Sequence, residues 1–257
     1  MSTEVANSSE RRTIILDKLK DNGQVFVNEL AELFQVSQET IRRDLNKLEE
    51  QRLIKKVHGG AISSQFGFEM EFNQRAKLAA DEKKAIAIRA ATLFKPGDSL
   101  FIDFGTTTLE FARQLVAIND LTVIVNSPLI ASVFHENASI KVILIGGEFI
   151  NSKFECVGAI ALDNIGRFFA DYAVIGAGAV HADIGIMDQD INEAAVARKM
   201  MANSNYTVVL ADGHKINSHA TTLVSGWENI NYVVTSKAEN MSLVKSLPAG
   251  VSVLVAG

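Results

Sequence analysis

Much of what decides a protein's class is scarce in this sequence. Its 257 residues include one cysteine, Cys156. No disulfide can form within the chain, and a reducing cytosol fits it. No activating pattern surrounds Cys156, so it reads as a small packed residue and not a nucleophile. No apolar run approaches the roughly 20 residues of a membrane span. The opening MSTEVANSSE lacks the charged and apolar regions of a secretion signal, and residues 1–8 read as a disordered lead-in. His214 and His219 lie five apart without further ligands, which does not make a zinc site. Gly176-Ala177-Gly178 has no third glycine in register and opens no helix, so it is not a dinucleotide fingerprint. No metal and no cofactor is expected.

Positive charge is also in short supply. The chain has 25 Lys+Arg against 30 Asp+Glu, a net charge of −5. Residues 1–62 hold 10 of each sign, and residues 37–62 hold 6 basic against 4 acidic. Bulk charge does not advertise nucleic acid. Any contact with DNA must come from a few placed side chains and not from non-specific coating.

What is present is concentrated in SQETIRRDLNKLEEQRLIKKVHGG, residues 37–60. Ser37 is a good N-cap, because its hydroxyl can accept a backbone N–H of the first turn. Ile41, Leu45 and Leu48 at i, i+4, i+7 face a core. Glu39, Arg42, Arg43, Asn46 and Lys47 occupy the other face, where arginine and asparagine can reach base edges or phosphates. Upstream, Asn28 to Phe34 reads as a short helix capped by Asn28, and Gln35-Val36-Ser37 as the turn. This is the helix-turn-helix pattern. A longer helix, about Ser9 to Asn22, precedes it and is expected to bury Ile14, Ile15, Leu16 and Leu19. After it, two apolar runs flank Gly59-Gly60 as a hairpin, from which Lys55, Lys56 and His58 project as a wing. The DNA-contacting residues expected are Ser37, Gln38, Thr40, Arg42, Arg43, Asn46, Lys47, Lys55, Lys56 and His58. The winged helix spans 9–62.

With 47% apolar and 21% charged residues, the chain is ordinary globular material for one large or two smaller domains. Residues 63–80 read as a linker whose Phe66, Phe68 and Phe72 dock somewhere. A helix capped by Asp81 runs to about Phe94. From Pro96, apolar runs alternate with amphipathic helices, which predicts an α/β domain over 81–257 with a mostly parallel sheet. The strands expected are 99–103, 121–125, 140–145, 172–175, 207–211, 232–235 and 251–255. A helix is expected from Leu109 to Val116.

Ligands in such sheets bind outside the carboxyl ends of the strands. Five of these ends carry polar or glycine-rich segments: Asp103 with Gly105, Thr106, Thr107 and Thr108; Asn126-Ser127; Gly146-Gly147; Gly176-Ala177-Gly178; and Asp212 to Lys215. Gly105–Thr108 suits a phosphate, because glycine admits close approach and the threonine hydroxyls and helix N–H groups are donors.

IRRDLNKLE followed by HGGA resembles the winged helix of DeoR-type bacterial transcription regulators. FIDFGTT, Asn126-Ser127, Gly146-Gly147 and Gly158 resemble their effector domain, which is similar in fold to ribose-5-phosphate isomerase. The resemblance covers nearly the whole chain. It implies a sugar-phosphate site at Asp103, Gly105–Thr107, Asn126, Gly146-Gly147, Glu193 and Asp212…Lys215. Two places depart from the family. Gly178-Ala179 stand where Asp-Gly is usual, and His214-Lys215-Ile216-Asn217 where Ser-Lys-Phe-Gly is usual. Loss of that aspartate removes a carboxylate able to hold a sugar hydroxyl. LFIDFGTT and Asp188-x-Asp190-x-x-Glu193 are similar to the subgroup of glycerol-3-phosphate regulators.

The resulting expectation is a cytoplasmic regulator, a repressor of carbohydrate or glycerol genes. Its partners are operator DNA, a phosphorylated effector (glycerol 3-phosphate or a sugar phosphate) and a second copy of itself as dimer or tetramer. The alternative is an isomerase-like enzyme with Glu193 as base, Asp103 and Asp183 as polar partners and Lys215 on the phosphate. A third reading leaves the strand-end site vestigial, with control by a protein partner.

Overall fold

The computed structural model describes residues 8–22, 24–51, 53–57, 59–63, 72–236, 247–248 and 250–256. The chain divides into two compact units, residues 1–70 and 71–257.

The first unit runs α1 Ser8–Asn22, β1 Gln24–Phe26, α2 Val27–Phe34, α3 Gln38–Glu50, β2 Ile54–Val57 and β3 Gly60–Ser63. Its core is Ile15, Leu19, Leu30, Phe34, Ile41, Leu45, Leu48 and Ile54. Two expectations are corrected. Ile14 is exposed, and α1 instead turns Arg11 inward to pair with Asp44 of α3, both nearly buried. Asn28 does not cap α2, which starts one residue earlier behind Phe26, without a side-chain cap bond. The α2–α3 turn depends on Gln35 in the left-handed conformation, φ 53°.

Residues 24–26, which carry no assignment from the sequence alone, form a strand. β1 completes a three-stranded sheet in the order β1-β3-β2. Gly59 makes the hairpin turn at φ +78°. Gly60 is required for a different reason: a Cβ there would lie 2.0 Å from the Val25 carbonyl oxygen.

The second unit opens with α4 Phe72–Lys77 and α5 Ala80–Ala91. Of the three phenylalanines expected to dock, Phe72 is buried, and Phe66 and Phe68 lie outside the described residues. Asp81 sits in the first turn of α5, whose N-cap position is Ala79. The unit continues with β4 Ser99–Ile102, α6 Thr106–Leu115, β5 Thr122–Val125, α7 Pro128–Val133, β6 Lys141–Leu144, β7 Glu148–Ile150, β8 Glu155–Val157 and α8 Gly158–Ile165. It ends with β9 Ala170–Gly176, β10 Ala179–His181, β11 Gly185–Asp188, α9 Ile191–Ala202, β12 Ser204–Ala211, β13 Thr222–Ser225, β14 Tyr232–Ser236 and β15 Ser252–Ala256.

The seven expected strands form one sheet, β15-β14-β12-β9-β4-β5-β6, and every pairing in it is parallel. Alternate residues serve opposite faces. Phe101, Ile124, Ala173, Ile175, Val209 and Val233 pack toward α8 and α9. Leu100, Ile102, Val123, Val125, Val174, Val208 and Leu210 pack toward α5, α6 and α7. Burial on both faces is why these strands read as continuous apolar runs. The residues after Gly178, which open no helix, form the antiparallel hairpin β10–β11.

One buried cation ties the first helices of this unit to the sheet. Lys83 of α5, 3% exposed, donates to the carbonyls of Arg75 and of Leu78, the latter at 2.8 Å. Its Nζ also lies 3.9 Å from Asp212 after β12. Its neighbour Glu82 accepts from Gly213 N–H at 3.0 Å and from the Ser236 hydroxyl at 2.7 Å. Burial lowers the Lys83 ammonium to about 8, with Lys215 and Arg75 pushing the same way, and Asp212 and Glu82 resisting.

Two outcomes follow from this packing. Gly60→Ala forces β3 away from β1 at a cost of about 1–3 kcal/mol. Amides of β1 to β3 and α3 should then exchange hydrogen roughly ten- to hundred-fold faster, and unchanged exchange would show that the strand yields freely. For Lys83, the unfolded chain binds more protons than the folded chain between about pH 8 and the ordinary lysine value of 10.5, so its contribution to stability rises with pH across that window. Wild type should gain stability over Lys83→Met between pH 8 and 10 in urea melts. Parallel curves would mean that Lys83 titrates as an exposed lysine.

Candidate functional site

In the first unit, Ser37 caps α3 by accepting the Thr40 N–H at 3.2 Å, and the two hydroxyls lie 2.9 Å apart. With Ile41, Leu45 and Leu48 buried beneath, Gln38, Arg42, Arg43, Asn46 and Lys47 are exposed and Thr40 half-buried. The face is partly self-neutralised. Arg43 lies 3.4 Å from Glu39 one turn back. Lys56 of β2 donates to Asn46 Oδ1 at 2.6 Å and lies 3.8 Å from Glu49. Asn46 and Lys56, both expected as independent DNA contacts, are therefore joined to each other. Lys55 lies on β2 between Ile54 and Lys56. His58 falls outside the described residues.

In the second unit, the segments expected at the site follow β4, β5, β6, β9 and β12, which are contiguous in the sheet. Asp103 is 3% exposed and accepts its neighbour Phe104's N–H at 2.9 Å. Burial, then Asp188 and Glu193, push its carboxyl well above the usual range. Gly105 turns the chain at φ 149°. The following helix begins at Thr106 and not at Leu109, so Thr106, Thr107 and Thr108 form its first turn, with their N–H groups at the positive end of the helix. All three are buried. The Thr108 hydroxyl donates to the Gly105 carbonyl at 3.1 Å, which braces the loop from within the first turn.

Asn126 and Ser127 are drawn toward β8. The Asn126 amide donates to the Cys156 carbonyl at 3.3 Å, and its oxygen has no hydrogen-bond partner among the described residues. Ser127 caps α7 and donates to the Phe154 carbonyl at 2.6 Å. A Cβ at Gly147 would lie 2.6 Å from the Val157 oxygen, whereas one at Gly146 meets nothing. Gly147 is therefore a packing requirement, and Gly146 is not. The loop after β9 adjoins the loop after β4, since a Cβ at Gly176 would lie 3.5 Å from the Phe104 carbonyl.

Glu193, in the first turn of α9, is 2% exposed and pairs with Lys153 between β7 and β8. Asp212 accepts the His214 N–H at 3.1 Å. Burial alone would raise its carboxyl, but His214, Lys215 and Lys83 together hold it below the ordinary value. Lys215 is half-buried in the same turn. Asp183, the enzyme reading's second carboxylate, is exposed at the β10–β11 turn. Residue reading missed Lys83 and Lys153, and met Asp188 only as part of the Asp188-x-Asp190-x-x-Glu193 spacing. Neither lysine sits in a motif: Lys83 lies on α5 and Lys153 between β7 and β8. Cys156 is buried, and burial raises its thiol. The His181 and His219 rings meet tilted, with centroids 4.5 Å apart, and among the described residues no group of three or more His, Cys, Asp or Glu could hold a metal ion.

The family model described as the DeoR-like helix-turn-helix domain matches residues 11–65. The one described as the DeoR C terminal sensor domain matches residues 78–237. The HTH-type transcriptional repressor CsqR of Escherichia coli (strain K12) is 32% identical over 96% of this chain and 95% of its own. The glycerol-3-phosphate regulon repressor of the same strain is 30% identical over 93% of this chain and 95% of its own. Ribose 5-phosphate isomerase A from Methanocaldococcus jannaschii is 20% identical over 53% of this chain and 54% of its own, with a TM-score of 0.40. The family assignment rests on the sequence matches and not on this last likeness. With a helix-turn-helix at one end and a sensor domain over most of the remainder, the chain belongs to the DeoR family and is a DNA-binding transcription regulator, not an enzyme.

Proposed function

We propose that this regulator is a repressor that reads its operator with α3 and releases it under control of a phosphorylated metabolite held at the carboxyl ends of the sheet. The carrying observation is the exposed row Arg42, Arg43, Lys47 on a helix whose other face is fully buried. Asn46 and Lys56 act as a pair, with Ser37, Gln38 and Thr40 at the helix start near the phosphates, and Lys55 and His58 on the wing. Because the unit carries no excess charge, specificity comes from base-edge contacts more than from phosphate attraction.

On the sensor side, the first turn of α6 with Gly105, Thr106 and Thr107 takes the phosphate, and Lys215 neutralises it. Asp103, Asn126, Ser127, Gly146-Gly147, Glu193 and Asp212 line or shape the rest, and Thr108 braces the loop. Glycerol 3-phosphate is the first candidate effector. Similarity to a protein named the glycerol-3-phosphate regulon repressor supports it. A dimer or tetramer sets two α3 helices on half-sites about one helical turn, or a multiple of it, apart. Ile160, Phe169 and Ile191, each more than 60% exposed, support burial against a second copy. The protein works where operator DNA lies, in the cytoplasm.

Arg43→Ala should weaken binding to an operator fragment by about 1–3 kcal/mol, roughly ten- to hundred-fold, with unchanged circular dichroism. Anisotropy titration at fixed salt checks this, and equal affinity would remove α3 from the interface. On the sensor side, glycerol 3-phosphate at 100 times its Kd should stabilise the protein by about 2.7 kcal/mol, a Tm rise of roughly 5–10 °C. If no phosphorylated metabolite shifts Tm, control passes to a protein partner.

A further inference from the structure

Between Phe72 and Ala91 the sequence favours one helix. FNQRAKLAADEKKAIAIRAA holds no glycine, no proline and no β-branched residue before Ile86. The junction Ala76-Lys77-Leu78-Ala79-Ala80 is made of strong helix formers only. The helix is nevertheless broken there. α4 ends at Lys77 and α5 begins at Ala80, and Ala79 stands in the left-handed conformation at φ 51°, ψ 38°. An alanine held in that region is strained, because its Cβ crowds the backbone. A break that local propensity opposes must be held by tertiary contacts.

Three side chains hold it. Lys83, in the first turns of α5, turns its Nζ back onto the carbonyls of Arg75 and Leu78, the latter at 2.8 Å. In an unbroken helix those carbonyls would accept the N–H groups of residues 79 and 82, and here an ammonium stands in for them. The same Nζ lies 3.9 Å from Asp212 after β12. Arg75 lies over the Phe104 ring at 5.7 Å, within cation–π range, and Phe104 stands between Asp103 and Gly105 after β4. Phe72, 5% exposed, meets Phe154, which follows β7, edge-on at 5.7 Å. α4 is thus strapped onto the segments after three strands. It is also where the chain enters the second unit from the first.

We propose that residues 72–91 are a two-state helix: broken at Ala79, with α4 strapped onto the strand ends, or continuous, with α4 lifted off them. Lifting α4 gives up the contacts of Phe72 and Arg75 and the grip of Lys83 on the two carbonyls. It gains the backbone bonds of the junction and frees Ala79 from the left-handed region. The two sets oppose one another, which is what a bistable element requires. Whatever occupies the strand ends acts on this choice through the Phe104 loop and Asp212, and the choice re-aims the chain that leads back to the first unit. That link rests on the reading of the strand ends as the effector site.

The test puts spin labels on the exposed positions Ala76→Cys and Ile88→Cys of the full chain, with Cys156→Ser, and reads their separation by pulsed dipolar spectroscopy. A continuous helix sets the two positions about 18 Å apart along its axis, and the break sets a second separation. Arg75→Ala, which cuts the grip on Phe104, and Phe154→Ala, which cuts the grip on Phe72, should each raise the continuous population about ten-fold. Adding Ala79→Gly to either should reverse that shift by about ten-fold, because glycine is at ease in the left-handed region and disfavours a helix interior. If Arg75 and Phe154 only braced the fold, glycine at the junction would not restore the first separation. One unchanged separation in the wild type and all variants overturns the switch. Glycerol 3-phosphate and inorganic phosphate are then added to the wild type and to Arg75→Ala. A shifted population ties the switch to the strand ends. Populations that answer the substitutions but neither phosphate overturn the link to a phosphorylated effector and leave the helix transition standing.

Discussion

All seven strands of the large sheet run the same way, and the chemistry of this protein depends on that. Parallel strands need crossover helices, and the helices bury both faces of the sheet. Side chains within β4, β5, β9 and β12 are consumed by packing: Phe101, Ile124, Ile175 and Val209 on one face, Ile102, Val125, Val174 and Leu210 on the other. The buried polar residues Asp103, Asn126, Ser127 and Asp212 stand where the strands stop. Because the strands are parallel, they stop at one edge, so Asp103, Asn126, Gly176 and Asp212 adjoin although more than a hundred residues separate the first from the last. An antiparallel sheet from the same segments would send alternate loops to opposite ends.

The elements that first enter the sensor unit are built onto that edge. Arg75 of α4 lies over the Phe104 ring at 5.7 Å, and Phe72 meets Phe154 edge-on at 5.7 Å. Lys83 bonds the turn after α4 and faces Asp212. The residues that follow the first unit in sequence thus rest on the segments after β4, β7 and β12. A ligand controls DNA affinity only through a difference in its affinity for two states. A state in which these segments move must disturb the Lys83 and Arg75 contacts, so the energy of those contacts sets part of that difference.

Legibility of the sequence followed locality. α3 was readable residue by residue because its cap, its apolar row and its polar face lie within one stretch. The seven strands were readable because two-sided burial leaves continuous apolar runs. β1 was missed because three residues, Gln24 to Phe26, carry no period, and their strand character comes from pairing with Gly60 to Ile62. The start of α6 was missed because threonines favour caps as much as first turns. Arg11 with Asp44 reads as two solvated charges until α1 crosses α3. The Lys153–Glu193 pair spans 40 residues and leaves no trace in either segment.

Gly178 shows how a sequence comparison taken position by position can mislead. In the one-dimensional reading the usual aspartate is lost, and with it a carboxylate able to hold a sugar hydroxyl. In the hairpin, residues 178 and 188 compete for one volume, so a glycine at 178 is what allows a carboxylate at 188. The two positions form a single choice, and only the register of β10 on β11 makes that visible. The same logic governs the DNA face. Asn46 and Lys56 look like two separate polar groups in the sequence, ten residues apart, but across α3 and β2 they form one bonded pair at 2.6 Å.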